Sequence, residues 1–191
     1  MSQPWKLRDF IVAAALAVPL GVFWSYAWGL AWQVAADAVP QLGDVMDGFY
    51  VVGGVLVAYV IRRPGSALLG ELIASLIEIP FTSFGPVVLW LGLLQGLGVE
   101  ALLMGTKYRH FSLTILLLAG AAGSLVAVVG YYYPVEGWIE LAIGIQALRI
   151  VLKLIGGAIL GGLAGKLIGD ALAQTGVLNN FPIAQARTRE I

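Results

Sequence analysis

Between Asp9 and Asp37 the chain carries no charged residue. A helix rises 1.5 Å per residue, so about 20 apolar residues cross the roughly 30 Å hydrocarbon core of a bilayer. The run Phe10–Trp32 meets that length, and Val45–Ile61, Gly65–Ile79, Pro86–Gly105, Ser112–Tyr132 and Leu141–Leu172 follow it. The third run is short and carries two carboxylates. The sixth is too long for one crossing, so its first turns lie at the interface or the helix extends beyond the membrane. Composition agrees. The 191 residues are 60% hydrophobic and 12% charged, with a mean hydropathy of +0.91, against about 45–50% and about 25% in soluble domains. The sequence predicts an all-α integral membrane protein with six transmembrane helices. Residues 1–175 would form a single six-helix membrane domain, and 176–191 a cytoplasmic C-terminal tail. The first apolar run leads into Trp-rich sequence rather than a small-residue cleavage site, so no cleavable signal peptide is expected.

Orientation follows from Lys and Arg, which concentrate in cytoplasmic loops. Lys6 and Arg8 precede the first run, Arg62 and Arg63 follow the second, Lys107 and Arg109 the fourth, and Arg187 and Arg189 the sixth. The alternate connections hold Asp37, Asp44, Asp47 and Glu136 but no Lys or Arg. Dropping the weak third span would destroy this partition. Six spans with both termini inside satisfy it.

Between apolar helices in lipid, close approach depends on small residues. Gly157, Gly161, Gly165 and Gly169 fall at four-residue spacing in the sixth span, Gly92 and Gly96 lie in the fourth, and Ala13, Ala17 and Gly21 in the first. The sixth-span stripe reads as internal packing. For Ala13 and Ala17 two readings stand, internal packing and docking to another membrane subunit. Pro19 is expected to kink the first span.

Charges within a bilayer are expensive and mark candidate sites. Glu71 and Glu78 lie seven residues apart, on nearly one helical face. Arg149 and Lys153, four apart, lie at comparable depth in the sixth span. They could pair with the carboxylates and fix helix register, or the group could form a polar ligand site. Glu100 reads as structural pairing or solvation near the inner end, Asp9 and Asp170 as interfacial, and Gln95 as a mid-span neutral polar group.

Trp24, Trp28, Trp32, Trp90 and Trp138 lie toward the outer side with Tyr26, Phe49, Tyr50, Phe81 and Phe84. An interfacial belt is one explanation. The Trp24/Trp28/Trp32 stripe, however, descends about 12 Å, deeper than a belt needs. An outward-facing aromatic pocket over carboxylates accounts for it. Such a pocket suits a flat, cationic or amine-bearing heterocycle, with stacking, cation–π attraction and carboxylate hydrogen bonds.

The chain has no cysteine, one histidine (His110, in a basic loop), no Walker A motif and no metal-ligand cluster. Neither catalysis nor metal binding is expected, and any ATP hydrolysis would belong to partners.

The length, the six-span pattern, the small-residue stripe of the first span and its Trp-rich outer end carry a resemblance, as does Gly70-Glu71-Leu72-Ile73-Ala74-Ser75-Leu76-Ile77-Glu78. The sequence resembles the S components of energy-coupling factor (ECF) vitamin transporters, of the YkoE-type thiamin/hydroxymethylpyrimidine family. The resemblance implies a subunit of the bacterial cytoplasmic membrane that captures its vitamin from outside, partnered by a transmembrane coupling (T) subunit and two cytoplasmic ATPases. It implies thiamin or hydroxymethylpyrimidine as ligand and no cofactor. Glu71 and Glu78 would face the aminopyrimidine or balance charge, Trp28, Trp32, Tyr50 and Trp90 would stack, and Gln95 would hydrogen-bond. Ala13 and Ala17 would dock on the coupling subunit. Two alternatives are a small secondary transporter or channel coupling ions through Glu71, Arg149 and Lys153, and an assembly protein whose polar residues lock helices together.

Overall fold

The computed structural model describes residues 4–184. Arg187, Arg189 and the end of the expected tail lie outside the described residues. Five helices are long and apolar enough to cross a membrane: α1 Leu7–Ala38, α2 Pro40–Ile61, α4 Val87–Gly105, α5 Leu113–Tyr132 and α6 Ile143–Gln174. Between α2 and α4 lies the shorter α3, Ser66–Glu78, of 13 residues. No strand occurs among the described residues.

Both α1 and α6 run for 32 residues, about 48 Å at 1.5 Å per residue. Helix α1 outreaches the expected span Phe10–Trp32 because charge and polarity mark where a helix leaves the hydrocarbon, not where its hydrogen-bond ladder ends, whereas α6 has the length expected of Leu141–Leu172, displaced by two residues. At the start of α1 the Lys6 N–H donates to Asp9 Oδ2 at 2.8 Å. Asp9, expected at the interface, is buried and lies 3.3 Å from Arg63 Nε. Asp170 accepts hydrogen bonds from Tyr59 and Lys166.

From Val51 to Ile61 helix α2 is apolar all round and buried at every position, as expected for a helix enclosed by others. It begins on Pro40, whose missing N–H is no loss at a first helical position. It ends at Arg62 in the left-handed region, φ 54. Helix α3 buries Ala67, Gly70, Glu71, Ala74, Ser75 and Glu78, a stripe at helical spacing. The unpaired N–H groups at its start are met by Glu100 of α4, whose carboxylate accepts from Gly65 and from Ala67 (3.2 Å). A negative charge there also suits the helix dipole. Glu100 is thus a structural partner, not a solvated charge.

The glycine stripe of α6 packs internally, and it divides between two neighbours. A Cβ on Gly161 would lie 3.0 Å from the Gly48 carbonyl oxygen, one on Gly165 2.9 Å from Val55, and one on Gly169 2.7 Å from the Tyr59 ring. All three partners belong to α2. Gly157 instead meets Gly120 and Ser124 of α5. A π-helical segment, Gly157–Leu163, holds an extra residue in the turn and shifts the facing direction. Gly96 meets Leu68 Cα at 3.0 Å in the same way, joining α4 to α3.

Ala13 and Ala17 are fully buried, in the same core as Ala67 and Ala74 of α3. At Gly21 a Cβ would come within 2.9 Å of Ile77. The face of α1 expected to dock on a partner is therefore covered by the chain's own helices. Small side chains let α3 approach closely, and that approach leaves the stripe no free surface.

Candidate functional site

A cavity lies at one end of the bundle. It is built where α1, α3 and α5 end and where α2, α4 and α6 begin, at the opposite end from the loops that carry Arg62, Arg63, Lys107 and Arg109. Its volume is about 290 Å³, at the small end of the range of about 300–1,000 Å³ for small-molecule sites. Trp24, Trp32, Tyr50, Phe84, Tyr132 and Trp138 supply aromatic walls, and four carboxyl groups and two bases reach it: Asp44, Asp47, Glu78, Glu136, Arg149 and Lys153.

Local backbone geometry selects the tryptophans. In a regular α-helix, Trp24 and Trp32 would differ by about 80° in direction at 100° per residue. The π-helical segment Trp24–Trp28 takes up one extra residue, which brings the two to within about 20° of each other. Trp24 and Trp32 both line the cavity, whereas Trp28 packs outside it against Phe49, ring centroids 4.5 Å apart. Two indole N–H groups tie α1 to the start of α2: Trp32 Nε1 to the Gly43 carbonyl at 3.0 Å, and Trp28 Nε1 to the Met46 carbonyl at 3.1 Å. Phe84 meets Trp32 edge-on at 5.4 Å.

The bases do not pair with Glu71 or Glu78. Arg149 makes a fork to Asp44, Nε to Oδ2 at 2.7 Å and a terminal nitrogen to Oδ1 at 3.0 Å. Lys153, 1% exposed, donates to Asp47 Oδ2 at 2.8 Å and lies 3.8 Å from Asp44 Oδ1. The other oxygen of Asp47 accepts from the Tyr132 hydroxyl at 2.9 Å. The Lys153 ammonium sits 3.6 Å over the Tyr132 ring, and the Arg149 guanidinium 4.2 Å over Trp138. Asp44 and Asp47, read from the sequence as loop charges, are buried counter-ions at the start of α2. Their three-residue spacing against the four-residue spacing of Arg149 and Lys153 was the available signal. Both spacings place two like charges on one helical face.

With these pairs formed, Glu78 stands apart. It is 3% exposed and lines the cavity, yet among the described residues its carboxylate accepts no hydrogen bond and joins no ion pair. Gln95, also 3% exposed, likewise faces the cavity with its amide unpartnered, and the Tyr50 hydroxyl is equally free. Buried polar groups are otherwise almost always satisfied. This set is ready for a ligand bearing hydrogen-bond donors.

Of the seven expected binding residues, Glu78, Trp32, Tyr50 and Gln95 line the cavity, whereas Glu71, Trp28 and Trp90 do not. Glu71 is fully buried below it, accepting the Gly54 N–H at 2.6 Å, with its second oxygen unpartnered. Trp90 is 47% exposed on the outside of α4. The cavity residues not foreseen as ligand contacts include Asp44, Asp47, Tyr131, Tyr132 and Glu136.

Comparison with known proteins bears on this architecture. Residues 8–126 match the family model described as "ABC-type cobalt transport system, permease component". The chain is 35% identical over 184 residues, 96% of its length and 92% of the relative's, to the putative HMP/thiamine permease protein YkoE of Bacillus subtilis (strain 168). It superposes with a TM-score of 0.93, at 32% identity, on the crystal structure of an S-component of an ECF transporter, covering 98% of this chain and 95% of that one. The chain belongs to the S components of ECF transporters. An S component is a non-catalytic, substrate-binding subunit of the cytoplasmic membrane that works with a T subunit and ATPase subunits. As an S component, the chain is a non-catalytic subunit. Among its described residues, no group of three or more His, Cys, Asp or Glu is placed to hold a metal ion.

Proposed function

We propose that this S component captures thiamin, or its hydroxymethylpyrimidine half, from outside the cell. The unpaired Glu78 carboxylate, buried in an aromatic cavity whose bases are both engaged, carries this reading. Thiamin joins a cationic thiazolium to an aminopyrimidine. The exocyclic amine donates to Glu78 and Gln95, and the rings stack against Trp32, Tyr50 and Phe84, where a positive charge is favoured over aromatic faces. Glu71, from its place below the cavity, supports the wall that carries Glu78, while Trp28 and Trp90 act from outside it. The name of the Bacillus subtilis relative supports the ligand class.

In this reading the membrane domain, residues 1–175, crosses six times with both ends cytoplasmic. The Lys and Arg pattern supports the orientation, and the cavity then opens outward. A T subunit and two ATPases supply the energy. The pairing of Arg149 and Lys153 with Asp44 and Asp47 removes the charge set on which a self-sufficient ion-coupled transporter would depend.

The test is calorimetric titration of the purified chain with thiamin and with hydroxymethylpyrimidine. Micromolar or tighter binding of at least one is expected, weakened by Glu78→Gln. No heat from either compound refutes the ligand assignment.

A further inference from the structure

The charges around the cavity bear on which chemical form of a ligand it admits, a point that rests on the aromatic-amine reading above. Four carboxylates and two bases reach the cavity. Each base already has an aspartate counter-ion. Arg149 is held in a fork by Asp44 at 2.7 and 3.0 Å, its face against Trp138. Lys153 is enclosed by Asp47, Asp44 and the Tyr132 ring. An anion drawn to either base would have to compete with, or sit beside, the aspartate that already neutralises it, and breaking such a buried pair is unfavourable.

The remaining charges are negative. Glu78 is buried and unpaired, and Glu136 accepts from the Tyr131 hydroxyl at 2.8 Å. A phosphate monoester carries about −1.5 to −2 charges at neutral pH. In a cavity of about 290 Å³ such a group cannot stand far from these carboxylates.

We propose that this site selects its ligand by charge, admitting the free amine-bearing heterocycle and rejecting its phosphate esters, because its two bases are already engaged by Asp44 and Asp47. The ion cluster is then a specificity device as well as a helix clamp.

The test titrates the purified wild-type chain with thiamin and with thiamin monophosphate. The ester is expected to bind at least about 100-fold more weakly, the order of one like-charge contact in a partly screened site. Binding of the ester within about threefold of thiamin overturns the proposal while leaving the thiamin assignment intact. Asp44→Asn, which releases Arg149, should narrow the gap by about tenfold, and an unchanged gap in the folded variant also overturns it. If neither compound binds, the thiamin assignment fails and the charge rule is read with phenethylamine and phenylacetate at millimolar concentration. Binding of the amine alone then supports it. Binding of both, of the acid alone or of neither overturns it.

Discussion

Lys153→Met tests the ion cluster most directly. The ammonium and the Asp47 carboxylate are 2.8 Å apart, with side chains 2% and 7% exposed. Methionine keeps most of the apolar stem and its packing and removes only the charge. Asp47 would retain the Tyr132 hydroxyl as its hydrogen-bond partner, while Asp44 would keep its fork from Arg149. Removing one member of a buried pair costs about 3–5 kcal/mol, most of it from the stranded charge. Arg149→Met should cost less, about 1.5–3 kcal/mol, because Arg149 is 24% exposed and Asp44 still has Lys153 at 3.8 Å. The double variant Asp47→Asn/Lys153→Met strands no charge and should recover about 2 kcal/mol relative to the sum of the single changes. Unfolding free energies come from SDS titration in mixed micelles, followed by tryptophan emission. A Lys153→Met cost below about 1 kcal/mol, or additive single changes, would refute the reasoning.

Three further outcomes are expected. Glu71→Leu leaves the Gly54 N–H without its 2.6 Å partner and should destabilise by about 1–3 kcal/mol, while Glu71→Gln, which keeps an acceptor, stays within about 1 kcal/mol; SDS titration of the two reads the difference. Gly120→Ala forces a Cβ to 2.7 Å from the Gly162 backbone nitrogen and should lose about 1–3 kcal/mol. Gly144→Ala, with nothing within 4 Å, should be neutral or gain up to about 1 kcal/mol, so equal melting shifts would contradict the packing account. Trp32→Ala should weaken ligand binding about 3–10-fold through lost ring contact, whereas Trp90→Ala, outside the cavity, should leave calorimetric affinity unchanged.

Much of the architecture was legible because its signals are one-dimensional. Long uncharged runs mark the helices, and the internal role of the Gly157–Gly169 stripe followed from its spacing alone. Glu78, Trp32, Tyr50 and Gln95 were recognisable as candidates because polar and aromatic side chains at that depth need a reason to be there. Glu71 and Trp28 satisfied the same criterion yet lie off the cavity. Glu71 shares the face of Glu78 but sits about two turns deeper, below the cavity floor, and the azimuth of Trp28 is lost once the π-helical turn Trp24–Trp28 shifts the phase. Ala13 and Ala17 show a related ambiguity, since a small-residue face is the same string of letters whether a partner or the chain's own α3 covers it.

The sequence by itself determined that this is a helical membrane protein with a polar, aromatic end, because transfer of apolar runs and charges into lipid is a property of each segment alone. Only the tertiary structure decided which charges meet. Arg149 and Lys153 went to Asp44 and Asp47, more than a hundred residues away, because α2 and α6 come into backbone contact at Gly48 and Gly156. That contact leaves Glu78 as the buried carboxylate without a partner, and pair formation between helices is not written in either helix alone.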